Sequence, residues 1–133
     1  MREILFRGKR IDNGKWVYGS YAQQYDCHEI LLEHIESEYG FDCYHVDPKT
    51  VGQYTELKDK HGKRIFEGDF VRLDEYVKKT FDVCDGIIRY GRGGFYVSEF
   101  ELLNSLNTIA NAEGVLRGEV IGNIHDNSEL LVE

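Results

Sequence analysis

The sequence has little proline, little cysteine and too few positive charges to balance its negative ones. One proline and 14 glycines in 133 residues favour strands joined by tight turns. Three cysteines at irregular spacings exclude a disulfide framework and are expected to be free thiols. With 16 basic against 24 acidic residues, the net charge of -8 disfavours general electrostatic binding to nucleic acid or to an anionic membrane.

Long apolar runs are also missing, since no stretch approaches the ~20 residues that a membrane-spanning helix needs. The first residues are broken by charges and lack the apolar core of a signal peptide, so we expect a cytoplasmic protein. Apolar residues make up 41% and aromatic residues 13%, which excludes disorder as the main state. The length predicts a single domain over 1–133, with a hairpin subdomain over 1–50 and a small β-barrel subdomain over 51–133.

The first turn signal is Asn13-Gly14, which favours a two-residue type I′ hairpin turn. Centred there, the hairpin pairs Phe6 with Tyr21. One face would then hold Ile4, Phe6, Val17 and Tyr21, and the other Leu5, Ile11, Trp16, Tyr18 and Ala22. Because both faces are partly apolar, we expect this hairpin to be covered on both sides.

Later turn signals predict two more hairpins. Asp59 suits the first position of a type I turn and Gly62 the left-handed position that follows. Gly68-Asp69 predicts another turn, and Gly91–Gly94 predicts a third hairpin between two strands. Residues 41–46 predict a strand that ends at Asp47-Pro48, whereas 28–36 fit a helix and a strand equally well.

A capping box at Ser98–Glu101 predicts one short helix that ends near Ala112. A last strand is predicted over 115–124. Together these elements predict a mainly β fold, with α+β as an alternative. Its N-terminal hairpin would pack on a C-terminal SH3-like barrel closed by the one capping helix.

Several blocks in order resemble the YopX family of phage and prophage proteins. They are Arg2–Lys9, Trp16–Gly19, Val51–Val71 and Gly118–Leu131, and they span nearly the whole sequence. The resemblance implies a compact, mostly β, cytosolic protein of an infected or lysogenic bacterium. It implies no activity, cofactor or catalytic residue.

The chemistry-bearing residues form no specific catalytic or metal-binding motif. Cys43 and His45 would share one face of a strand and are the best metal pair, but closely spaced Cys-x-x-Cys pairs are absent. No cysteine lies at a recognisable helix start, as a thiol nucleophile would favour. Glu67 and Asp69 flank Gly68 and are read as turn residues. We therefore assign no catalytic residue, no cofactor and no metal, and expect a non-enzymatic protein.

The remaining hypotheses concern binding surfaces. A protein–protein interaction module, with a host or phage protein as partner or as a homo-oligomer, accounts best for the many tyrosines. The alternative is a regulator that binds nucleic acid through a local basic–aromatic patch. The candidate contact residues are Gln53, Tyr54, Trp16, Tyr18, Arg89, Arg92 and Tyr96.

Overall fold

The computed structural model describes residues 4–33, 41–73, 84–91, 94–97, 115 and 118–127. Nearly all regular structure in this part of the chain is β-strand, which confirms the predicted mainly β class. The strands are β1 (Phe6–Lys9), β2 (Trp16–Gln24), β3 (Cys27–Glu33), β4 (Phe41–His45), β5 (Gly52–Lys58), β6 (Arg64–Phe66), β7 (Asp69–Leu73), β8 (Cys84–Gly91), β9 (Gly94–Val97) and β10 (Gly118–Asn123). A single turn of 3-10 helix covers Pro48–Thr50.

The chain divides into two compact units, Met1–Tyr54 and Thr55–Glu133, with the division inside β5. In the first unit the antiparallel strands lie in the order β4-β3-β2-β1-β5. The ambiguous segment before residue 34 is the strand β3, paired with β2 on one side and β4 on the other. Asp47 accepts the backbone N–H of Lys49 and so begins the 3-10 turn that leads from β4 to β5.

The turn between β1 and β2 is longer than the sequence predicts. Phe6 lies opposite Gly19 instead of Tyr21, so the predicted register is wrong by two residues. Four residues, Ile11–Gly14, form the loop, because Arg10 N–H bonds the carbonyl of Lys15 and Gly14 N–H bonds the carbonyl of Arg10, each at 2.9 Å. A shift of two keeps every side chain on its predicted face, and the rings of Phe6 and Tyr21 still lie 5.6 Å apart.

In the second unit, β6 neighbours β5, and four strands form a sheet in the order β10-β7-β8-β9. The turn predicted at Asp59 is confirmed. Gly62 N–H bonds the carbonyl of Asp59 at 2.9 Å, and Gly62 has a φ of +84°, which glycine adopts without steric cost. The hairpin at Gly91–Gly94 is confirmed as well, with these two residues opposite each other in β8 and β9.

Each unit has its own buried apolar residues. In the first unit Ile30 and Val46 are 0% and 1% exposed. In the second unit the most deeply buried side chains come from β6 to β9 and are Ile65, Phe66, Phe70, Val71, Ile88 and Val97. Along β6, β7 and β8 the buried residues are consecutive, as in Ile65-Phe66 and Phe70-Val71, which is the pattern of strands covered on both faces.

The predicted SH3-like barrel is not confirmed, because neither sheet closes on itself within the described residues. The predicted capping helix over 98–112 lies outside them. In the described part of the chain, no helix has the length and apolar character needed to span a bilayer.

Candidate interaction surface

One face of the β1–β2 hairpin carries a row of two cations and two aromatic rings. We call Arg7, Lys9, Trp16 and Tyr18 the aromatic–basic row. Arg7 lies opposite Tyr18 and Lys9 opposite Trp16, so all four side chains leave the sheet on the same side. The guanidinium carbon of Arg7 is 4.6 Å and the Lys9 ammonium 5.6 Å from the centre of the Trp16 ring. These distances are typical of cation–π contacts.

Part of the aromatic–basic row is buried and fixed by hydrogen bonds, and part of it is exposed to solvent. Arg7 is 5% exposed, whereas Tyr18 is 43% exposed. The Lys9 backbone N–H bonds the Thr50 hydroxyl at 2.8 Å, and that hydroxyl donates to the Asp47 carbonyl at 2.6 Å. The predicted cover over this face of the hairpin is therefore incomplete, and Tyr18 offers its ring to solvent.

A groove of about 520 Å³ lies where the β1–β2 turn meets β4. We call it the edge groove; its lining residues are Arg10, Ile11, Asp12, Cys43, Tyr44 and His45. Arg10 donates two hydrogen bonds to Asp12, at 2.9 and 2.6 Å, and its guanidinium stacks 4.4 Å from the centre of the Tyr44 ring. The hydrogen bond from Arg10 holds the pKa of Asp12 below its usual value. Ile11 is 68% exposed at the rim.

The two thiols that the structure describes, those of Cys27 and Cys43, do not lie in a catalytic or metal-binding cluster. Cys27 and Cys43 are both exposed and unbridged, and the Cys43 thiol donates to the carboxylate of Glu29. Reactive cysteines lie in electropositive surroundings, so a carboxylate neighbour argues against a nucleophilic role. His45 lies opposite Glu29 and near Cys43. Even so, no group of three or more such side chains within the described ranges is arranged to hold a metal ion.

The buried carboxylates of the second unit accept hydrogen bonds from backbone N–H groups. Asp59 is 2% exposed, and its two oxygens accept the backbone N–H groups of His61, Lys63 and Val120 at 2.9–3.0 Å. Burial raises the pKa of Asp59, but the three N–H donors outweigh it, so the pKa lies below the usual value. Asp69 is equally buried and accepts the N–H of Phe66, as its prediction as a turn residue requires.

Of the second-unit candidates, the structure describes Arg89 and Tyr96. Arg89 lies opposite Tyr96 and Tyr90 opposite Phe95, and adjacent pairs of a ladder project to opposite faces. Tyr90 is 59% exposed and packs edge-on against Phe95. Arg92 lies outside the described residues. Arg89 and Tyr96 therefore share one face of β8 and β9, and Tyr90 and Phe95 share the other.

The two candidates in β5 differ in exposure. Tyr54 is 4% exposed, so its ring belongs to the buried part of the sheet, and its N–H bonds the Leu5 carbonyl at 2.8 Å. Gln53 is half-buried and lies opposite Phe6, which places it on the other face from Trp16 and Tyr18. Of the first-unit candidates, the structure therefore brings only Trp16 and Tyr18 together.

Comparisons with known proteins agree with this strand-rich arrangement. The family model described as YopX protein matches residues 5–132. The chain belongs to the YopX family. Among solved structures, the crystal structure of protein EF1440 from Enterococcus faecalis resembles this YopX-family chain with a TM-score of 0.59 and 24% sequence identity. The match covers 98% of this chain and 99% of that one. At this identity the likeness shows the fold alone, and no curated protein matches.

Sequence reasoning about the YopX-family chain missed two exposed residues. Tyr25, at the tip of the β2–β3 hairpin, is 89% exposed and has a φ of +56°, a conformation that few side chains adopt. Ile11, which the sequence predicts on a covered face, lies at the rim of the edge groove. A turn at Tyr25 follows from the sequence only if the segment after it is a strand. The periodicity of that segment fits a helix equally well, so the sequence does not predict the turn.

Proposed function

We propose that this YopX-family chain is a phage or prophage accessory protein that acts as a non-enzymatic protein–protein interaction module in the cytoplasm of its bacterial host. The carrying observation is the aromatic–basic row, in which a half-exposed Tyr18 stands beside a Trp16 ring fixed by two cations. Tyrosine, tryptophan and arginine dominate the binding energy of protein interfaces. Rings that are already held in place lose little side-chain entropy on binding.

The buried groups favour binding over catalysis. The two deeply buried carboxylates, Asp59 and Asp69, accept backbone N–H groups, which accounts for their burial. The exposed Cys43 pairs with a carboxylate rather than with a general base. The partner proposed here is a host or phage protein, and a second copy of the chain is included among such partners.

Nucleic acid is a weaker candidate for the same row. Base stacking needs an open aromatic face, and because Arg7 and Lys9 already lie against the Trp16 ring, Tyr18 alone in this row offers one. The net charge of -8 adds repulsion from a phosphate backbone. Around β8 and β9, the described candidates place only one cation, Arg89, beside one ring, Tyr96, on the same face.

Affinity capture with matched baits tests the proposal. The full chain, Tyr18→Ser and Tyr90→Ser are each immobilised and exposed to lysate of the host bacterium. Tyr90 is the control because it is also an exposed tyrosine, in the other unit. We expect the wild type and Tyr90→Ser to retain one specific protein that Tyr18→Ser loses. Equal retention by all three baits, or retention of no specific protein together with a monomeric mass in light scattering, would contradict the proposal.

A further inference from the structure

The strand β4 ends the sheet of the first unit, and its hydrogen bonds show which backbone groups point outward. The N–H of Val46 donates to the carbonyl of His28 at 2.9 Å. Hydrogen-bonded and non-hydrogen-bonded pairs alternate along an antiparallel ladder. Tyr44 and Asp42, two and four residues before Val46, therefore direct their backbone groups toward β3, and Cys43 directs its N–H and carbonyl away from it.

This outward edge already accepts one extended segment of the same chain. Ile11 N–H donates to the carbonyl of His45 at 3.0 Å, and Asp47 N–H donates to the carbonyl of Lys9 at 2.9 Å. These bonds frame an antiparallel bridge between Arg10 and Val46. The edge is thus shaped to pair with an extended backbone. Past Ile11 the chain turns away, and no described strand pairs with the outward groups of Cys43.

The edge groove opens at the place where that pairing stops. Its volume of about 520 Å³ gives room for an added chain, and Ile11, 68% exposed, offers an apolar contact at the rim. On the opposite wall, Tyr44 is fixed under the guanidinium of Arg10. A strand edge with outward N–H and carbonyl groups is satisfied by another extended polypeptide, because only a backbone repeats donor and acceptor at the matching spacing.

We propose that an extended segment of a protein partner adds to the outward edge of β4, with which no described strand pairs along Phe41–Cys43. The segment runs antiparallel along Phe41–Cys43 and exchanges hydrogen bonds with the backbone of Cys43. One of its apolar side chains packs against Ile11. This inference rests on the proposed function, since it takes the partner to be a protein, and it adds the mode of recognition and the place where the partner's backbone binds.

Selection of linear octapeptides from a displayed library on the wild-type chain tests the proposal without the natural partner. Selected peptides are then titrated against Cys43→Pro and Cys43→Ala. Proline removes the outward N–H of residue 43 and leaves the bonds to β3 intact, whereas alanine removes the side chain alone. We expect Cys43→Pro to weaken peptide binding by about tenfold or more, and Cys43→Ala to leave it within about threefold.

A second arm guards against misfolding of the proline variant. Each selected peptide is N-methylated on alternate residues in two patterns, so that one of its two strand edges is blocked in each. One pattern is expected to abolish binding and the other to preserve it, and backbone amide shifts should be largest at Cys43. Equal binding to Cys43→Pro in a folded state, equal effects of both methylation patterns, or failure to select any peptide would overturn the inference. Loss of the natural partner by Tyr18→Ser would still support the proposed function in those cases.

Discussion

At the scale of single residues, Asp59 shows how a turn residue becomes a structural anchor. Its carboxylate accepts three backbone N–H groups, two from its own turn and one from Val120 in β10. The sequence predicts the turn, because Asp and Gly stand at the positions that this turn type favours. It does not predict the bond to Val120, 61 residues away, because nothing local reports which strand lies beside the turn.

Replacing this carboxylate should destabilise the protein. Asp59→Asn puts an N–H donor where the native oxygen faces backbone donors, so we expect a loss of about 1–3 kcal/mol in the free energy of unfolding. Urea denaturation measures it. Asp12→Asn is the matched control, because Asp12 is exposed, and its loss should be well below that of Asp59→Asn. Equal losses for the two variants would contradict the anchoring role.

The same residue should make stability depend on pH. The folded pKa of Asp59 lies below its unfolded value, which is about 3.9 for aspartate. The stabilising contribution is therefore present in full above that unfolded pKa and is lost as the pH falls through the folded pKa. The difference in unfolding free energy between wild type and Asp59→Asn should stay constant from pH 7 to pH 5 and shrink below pH 4. A difference that grows on acidification would refute this assignment.

At the scale of elements, the β1–β2 hairpin separates what a local signal can and cannot predict. The Asn13-Gly14 pair indicates a hairpin, and a hairpin forms. The register differs because Arg10 binds Asp12 and the Asn13 carboxamide accepts the N–H of Lys15, bonds that favour a four-residue loop. Those side-chain bonds stabilise the four-residue loop over the two-residue turn, and residue preferences alone do not show which of the two loops is more stable. The face assignment survives because the shift is an even number of residues.

The close contact between β2 and β3 depends on one glycine. A Cβ atom at Gly19 would lie 2.1 Å from the backbone oxygen of Leu31, so the two strands would have to move apart. We expect Gly19→Ala to lower the free energy of unfolding by about 1–3 kcal/mol. Chemical denaturation followed by circular dichroism gives the value. Ser20→Ala, an exposed neighbour on the same strand, should change it by less than about 0.5 kcal/mol, and similar losses for both would argue against this strand contact.

At the scale of the whole molecule, the sequence predicts the class of fold, whereas the strand topology determines which residues lie together on the surface. The mainly β class follows from turn residues and alternation, and the YopX resemblance follows from ordered blocks along the sequence. The candidate contact residues come apart in the structure because face and burial depend on register and on neighbouring strands. Trp16 and Tyr18 lie together, whereas Tyr54 is buried and Gln53 lies on the other face. Arg89 and Tyr96 form a second, separate pair.

The overall charge leads to a prediction about partners. With a net charge of -8, the chain should show no binding to single-stranded or duplex DNA even at low salt. Fluorescence anisotropy of labelled oligonucleotides at about 50 mM salt measures this. Binding that weakens steeply with added salt would favour the nucleic-acid regulator over the interaction module.

The central claim is that the aromatic–basic row contacts a protein partner. Isothermal titration calorimetry with the purified partner obtained by capture tests it directly. Wild type, Tyr18→Ser and Tyr90→Ser are compared after circular dichroism has shown that all three are folded. Loss of an interface tyrosine that acts as an anchor costs about 2 kcal/mol or more, so Kd should rise about thirtyfold for Tyr18→Ser. It should stay within about twofold for Tyr90→Ser. A Kd for Tyr18→Ser equal to that of the wild type would contradict the account.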